Sequence, residues 1–245
     1  MRFASTFILI MALLAHCRST SDSPDVVAGG KLNGLHKYYY PDGSLYMEVN
    51  FKDSIPDGAT RQYFKNGQVF EETWYIEGVR HGTSRRFYED GKPSMETPYD
   101  SGRIHGIQRK FRKDGTKAYE APYHFDNPCV GLKEYYLNGQ PVANRPQIII
   151  KPKDELWREF RYTLEIGLSE KAKVEFFKGE LTDGRYIGKQ AEKLFVDRQG
   201  RASIVYNLAP GDFVMEKINI IAKIRTDLGN SYITQIPYTV AIKNQ

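Results

Sequence analysis

Cysteine is nearly absent, with Cys17 and Cys129 the only two among 245 residues. That number excludes a multi-disulfide scaffold and any four-cysteine metal site. Long apolar runs are lacking as well, since the stretch from Phe7 to Ala15 is too short to cross a bilayer. No Gly-x-Ser-x-Gly, Gly-x-Gly-x-x-Gly or phosphate-loop pattern occurs, so the sequence offers no nucleophile elbow and no nucleotide cradle. Charge is modest: 35 basic against 30 acidic residues give +5. Without residues 1–17, which contain only Arg2, the balance is 34 minus 30, or +4. A charge that small predicts no nucleic-acid partner.

What the sequence has instead is an address, an aromatic excess and a repeat. Arg2, the apolar run and Leu13-Leu14-Ala15-His16 before Cys17 resemble a bacterial lipoprotein signal, although the residue before the cysteine is normally small. The alternatives are a secretion signal cut elsewhere or a retained leader. The resemblance implies that residues 1–17 are removed up to an acylated Cys17, which holds the chain to a membrane. It also implies an exported protein anchored in the bacterial cell envelope, at the outer membrane or periplasmic face. Residues 18–30 are polar and contain Pro24, Gly29 and Gly30, as expected of a flexible tether.

Aromatics make up 13% of the chain, 17 of them Tyr, which favours strands. Asp/Asn-Gly recurs at Asp42-Gly43, Asn66-Gly67, Asp90-Gly91, Asp114-Gly115 and Asn138-Gly139, 24 residues apart each time. A glycine column runs Gly34, Gly58, Gly82 and Gly106, with Gly131 displaced by one residue. Such a dipeptide at the centre of a type I′ turn predicts a β-hairpin. Centring the hairpin there pairs Lys37 with Glu48, Arg61 with Glu72, Arg85 with Glu96 and Arg109 with Glu120. It also sets Gly34, Gly58, Gly82 and Gly106 opposite Phe51, Tyr75, Tyr99 and Tyr123. A type I turn with a glycine bulge is expected to lose both coincidences. The pattern predicts a single-layer antiparallel sheet over residues 31–144.

Gly58-Ala-Thr-Arg-Gln-Tyr-Phe-Lys-Asn-Gly67, continuing to Glu72, Tyr75, Gly78 and Gly82, resembles the variant form of the membrane occupation and recognition nexus (MORN) repeat. The resemblance implies protein or lipid contacts and no catalytic residue. Bacterial proteins of this variant are often labelled antitoxins of a toxin pair, a cytoplasmic role that an export signal opposes.

After Gly139 the period stops. Short alternating runs such as Tyr162-Leu164-Ile166-Leu168 and Ile218-Ile220-Ala222-Ile224, separated by turn dipeptides, predict an immunoglobulin-like β-sandwich of about seven strands over residues 145–245. Residues 154–160, which carry Trp157, read either as a helical turn or as a loop. The fold class expected is therefore all-β.

For chemistry the sequence offers little. His81, His105 and Cys129 share a repeat column with Asp57, but equivalent positions lie roughly 9–10 Å apart and cannot share one metal. No metal and no cofactor is expected. Basic residues crowd repeats three and four, and Arg85, Arg86, Phe87, Arg109, Lys110 and Phe111 form the candidate binding set. The expected function is a non-catalytic envelope lipoprotein that binds or scaffolds a protein. Direct binding of anionic lipid head groups or acidic glycans, and an antitoxin-like role, are the alternatives.

Overall fold

The computed structural model describes Val26, Val27 and residues 30–245, and the expected leader with Cys17 lies outside them. Two compact units divide the chain, one up to Ala118 and the other from Tyr119. In the first are β1 (Val26–Val27), β2 (Lys31–Leu32), β3 (Gly34–Tyr39), β4 (Leu45–Lys52), β5 (Ile55–Tyr63), β6 (Val69–Ile76), β7 (Val79–Phe87), β8 (Pro93–Asp100), β9 (Arg103–Ile104) and β10 (Gly106–Phe111). From β3 to β8 each strand pairs antiparallel with the next, and β8 pairs with both β9 and β10.

The register is the one the paired columns require. Lys37 faces Glu48, Arg61 faces Glu72 and Arg85 faces Glu96, while Gly34, Gly58 and Gly82 face Phe51, Tyr75 and Tyr99. The turn is different. Gly43 N donates to Tyr40 O at 2.9 Å and Tyr40 N to Ser44 O at 2.8 Å. Gly43 has φ +86° whereas Asp42 does not take positive φ, so this is a type I turn closed by a glycine bulge.

The one-residue shift this turn introduces is cancelled a step later. Tyr39 faces Leu45 but Tyr38 faces Met47, leaving Tyr46 as an extra residue on the returning strand. The same slip recurs at Gln62/Tyr63 and Arg86/Phe87. In two repeats the extra ring packs edge-on against the ring that starts the turn, Tyr46 on Tyr40 at 5.0 Å and Phe70 on Phe64 at 5.1 Å.

The Asp/Asn column therefore serves as an acceptor rather than as a source of positive φ. The side-chain oxygen of Asp42 accepts from Ser44 N at 3.1 Å, and Asn66, Asp90, Asp114 and Asn138 repeat the bond to the amide two residues on. The side-chain and backbone hydrogen bonds from Ser44, helped by Lys65, hold the exposed Asp42 carboxyl down at about 2.

True type I′ geometry lies at the other end of the strands. Both central residues are left-handed at Asp53-Ser54 (φ 51° and 67°), Glu77-Gly78 (47° and 78°), Ser101-Gly102 (50° and 80°) and Phe125-Asp126 (45° and 69°). These turns are also 24 residues apart, but two of the four carry a glycine and none has the Asp/Asn-Gly pair. Successive ones are stitched together, because Gly78 N donates to Pro56 O at 2.8 Å and Gly102 N to Arg80 O at 2.9 Å.

Gly67 tests the turn cleanly, since a Cβ there meets nothing within 4 Å and only its φ of +81° is at stake. Gly67→Ala is expected to destabilise by about 1–2 kcal/mol through the left-handed backbone alone. Gly167→Ala, equally open but without positive φ, is expected to leave the urea midpoint almost unchanged.

Strand β11 (Lys117–His124) carries the chain into the second unit. There β12 (Asn127–Pro128) and β13 (Lys133–Glu134) both pair with β11. β14 (Ile148–Glu155), the single-turn helix α1 (Leu156–Glu159), β15 (Arg161–Leu168), β16 (Lys173–Lys178), β17 (Glu192–Lys193), β18 (Ala202–Asn207), β19 (Phe213–Arg225) and β20 (Ser231–Lys243) follow. One sheet is ordered β14-β15-β18 and the other β17-β16-β19-β20. Leu164, Ile166, Phe176, Ile220 and Val240 fill the space between them and are 0–1% exposed, which makes the pair a β-sandwich. The ambiguous segment is the helical turn, stopped by Phe160 at φ +52° with Trp157 exposed.

The last repeat is built into this unit by a buried carboxylate. Glu134 accepts from Arg145 Nη1 at 2.7 Å, Thr226 Oγ1 at 2.7 Å and Asn230 Nδ2 at 2.8 Å. The guanidinium of Arg145 lies over the Tyr232 ring, 5.2 Å from its centroid. Burial would raise the Glu134 carboxyl; the hydrogen bonds from Asn230, Thr226 and Arg145 outweigh it and hold the group below its ordinary value.

Candidate functional site

The two faces of the first unit's sheet carry different chemistry. On one, a row of alternating charge runs Lys37, Glu48, Arg61, Glu72, Arg85, Glu96, Arg109, one residue from each successive hairpin strand. Ion pairs along it include Lys37–Glu48 at 3.3 Å, Arg61–Glu72 at 2.8 Å, Arg85–Glu72 at 4.0 Å, Arg85–Glu96 at 3.9 Å and Arg109–Glu96 at 3.7 Å. Each pair contributes about 0.2–1 kcal/mol at such partly exposed sites. Tyr63 lies on the same face and donates to Glu48 at 2.7 Å; burial first, then that bond, pushes its hydroxyl up to about 12.

Next to this row the face turns apolar. Ile76 pairs with Val79, Trp74 with His81 and with Ala59, and Ile55 lies 3.0 Å from where a Cβ on Gly78 would stand. Ile55, Trp74, Ile76 and Val79 are exposed by 45, 46, 54 and 40%. Four large apolar side chains open to water at neighbouring positions, with an indole among them, make a patch of the kind that partners cover.

The opposite face holds a groove of about 440 Å³. Its apolar wall comes from Tyr38, Met47, Val49, Phe51, Pro56 and Tyr75, with Met47 and Val49 almost fully buried. Glu71, also on its lining, is satisfied: Arg86 donates to it at 3.0 Å and Ser84 at 3.1 Å, and Thr73 and Ser84 share a bond of 2.8 Å. Arg80 is not matched in this way. Among the described residues its guanidinium meets only the Tyr75 and Tyr99 hydroxyls, each at 3.4 Å, and the face of the Tyr99 ring at 5.4 Å.

Residues 32–53 and 80–101 match the MORN repeat variant. The two starts differ by 80 minus 32, or 48, which is two of the 24-residue periods, so these MORN segments keep one phase. A comparison with curated proteins finds no match. Among solved structures, S. aureus TarM in complex with Fondaparinux, alpha-GlcNAc-glycerol and UDP is 17% identical, with a TM-score of 0.33, over 49% of this chain and 23% of that one. A second TarM structure gives 18% and 0.32 over 49% and 22%. The chain thus spans less than a quarter of the TarM chains it matches.

The MORN register settles where the candidate binding residues stand. Arg85 and Arg109 are members of the charged row, held by Glu72 and Glu96. Phe87 shares their face by strand parity, and Phe111 closes β10 two residues beyond Arg109. Arg86 and Lys110 lie on the groove face, where Arg86 is bonded to Glu71 and Lys110 faces Met95. The six are therefore divided between two surfaces. Among the described residues no group of three or more His, Cys, Asp or Glu could hold a metal. Cys129 is buried, and burial pushes its thiol up, away from thiolate chemistry.

Sequence reasoning missed the Trp74 patch and left Arg80 undistinguished among the basic residues of repeats three and four. A signal existed for Arg80: its repeat column reads Leu32, Pro56, Arg80, Ile104, Pro128, and only one of the five is charged.

Proposed function

We propose that the chain is a non-catalytic, envelope-anchored lipoprotein whose MORN-type sheet binds or scaffolds a protein partner. The anchor rests on the leader ending at Cys17. The binding role rests on one observation, the exposed cluster of Ile55, Trp74, Ile76 and Val79 beside a row of charges that already neutralise one another. A surface of that composition favours a protein over a polyanion. Burial of the apolar side chains supplies the affinity, and an acidic ligand would have to break Arg85 and Arg109 away from Glu72 and Glu96.

Capture from cell envelopes with the full chain as bait is the test. A specific partner is expected, and Trp74→Ala is expected to weaken it by about 2 kcal/mol or more, some thirtyfold, as for a hot-spot indole. The fold should tolerate the change because nearly half of the side chain is already in water. Recovery that is equal with Trp74→Ala, or absent with the wild type, would count against the reading. Anchoring is read separately, since Cys17→Ala should release the chain from the membrane fraction.

A further inference from the structure

We propose that the groove on the opposite face binds a long-chain carboxylic acid, with the carboxylate on Arg80 and the acyl chain along Tyr38, Met47, Val49, Phe51, Pro56 and Tyr75. The inference goes beyond the partner-binding reading and uses the other side of the sheet.

Three features carry it. The first is shape and size: about 440 Å³ falls within the range of small-ligand sites, roughly 300–1,000 Å³. The lining reaches from Tyr38 on β3 to Arg80 on β7, four strand spacings or roughly 19 Å, which suits an extended chain better than a compact ring system.

The second is charge. Of the two charged residues that line the groove, Glu71 is already paired, with Arg86 from outside the lining at 3.0 Å, whereas Arg80 has no ion-pair partner among the described residues. A guanidinium has five donor hydrogens in a fork that fits a carboxylate, and here two long phenol contacts leave most of that capacity unused. Among the described residues no carboxylate forms an ion pair with it. A cation held beside apolar walls and left without its counter-charge is matched by a ligand whose one charged end is anionic.

The third is the departure from the repeat. Where the other repeats place Leu32, Pro56, Ile104 and Pro128, this one places an arginine opposite Tyr75. A structural array gains nothing from a half-buried cation in an apolar column, and such local breaks in an otherwise consistent pattern mark function. Thr60 also lines the groove, and its buried Oγ1 has no hydrogen-bond partner among the described residues.

Calorimetric titration of the full-length chain with dodecanoate, kept below its micelle threshold, tests the proposal. One dodecanoate per chain is expected, and Arg80→Gln should weaken it at least about tenfold, the loss of one charge-assisted bond. Arg80→Lys should weaken it less. Dodecanol, with the same chain and no charge, should bind the wild type more weakly than dodecanoate and be indifferent to Arg80→Gln. Thermal unfolding of Arg80→Gln at an unchanged midpoint excludes misfolding as the cause. The proposal is overturned if dodecanoate gives no saturable heat, if Arg80→Gln leaves its affinity unchanged, or if dodecanol binds equally well. A peptide with an apolar, free carboxyl terminus that binds more tightly than dodecanoate would also overturn it, in favour of a protein tail. Trp74→Ala should leave dodecanoate binding intact, so failure here and failure of the partner reading are read independently.

Discussion

Glu134→Ala is expected to destabilise the second unit by about 3–5 kcal/mol, because it strands a buried guanidinium. Arg145 and Glu134 have side chains only 12% and 5% exposed. Removing the carboxylate takes away the acceptor for Arg145, Thr226 and Asn230 together. Urea unfolding should show a lower midpoint with an unchanged slope. A Glu134→Met, Arg145→Met double substitution should recover most of the loss, since neither charge is then left alone.

The same cluster sets a pH dependence with a definite sign. The folded carboxyl titrates below its ordinary 4.5, so the folded state binds its proton less readily than the unfolded chain. The contribution of Glu134 is fully present above that ordinary value and is lost as pH falls through the folded one. Glu134→Gln should flatten the acid limb of the stability profile; an acid limb identical to that of the wild type would contradict the assignment.

Phe176→Ala should be equally severe. Phe176 is 0% exposed, pairs across to Ala222 on β19 and lies at the centre of the sandwich core. Truncating a fully enclosed phenylalanine costs about 3–5 kcal/mol, part transfer and part cavity. Phe213, on the same sheet but 75% exposed, supplies the contrast. Phe213→Ala should change the urea midpoint by no more than about 0.5 kcal/mol in stability. Similar losses from both would place the core elsewhere.

Much of the architecture was legible because strand pairing writes itself into sequence periodically. Lys37 against Glu48 and Gly34 against Phe51 could be paired from one rule, and the sandwich strands followed from alternation. The turns were not legible, for a physical reason. Asp-Gly satisfies two different geometries, and choosing between them depends on whether Asp42 itself takes positive φ or uses its oxygen to cap Ser44. The wrong geometry still led to the right register, because the extra residue at Tyr46 cancels the shift.

The sites were harder still. Trp74 sits in a strand column whose exposure is fixed by tertiary packing rather than by residue type. The partners of Glu134 lie 92 and 96 residues away at Thr226 and Asn230, beyond the reach of any local spacing. Arg85 and Arg109 looked available in sequence because a linear chain hides the second glutamate each base meets on its other side.

The charged row also constrains how such an array can evolve. Duplicating one 24-residue unit inserts one base and one acid, so every new neighbour across the sheet is still of opposite sign. Gaining or losing a single strand would instead set arginine beside arginine or glutamate beside glutamate. Growth in whole hairpins is thus electrostatically silent while growth in half-hairpins is penalised, and the length of the array becomes a quantity that gene duplication can vary in one step without redesigning the sheet.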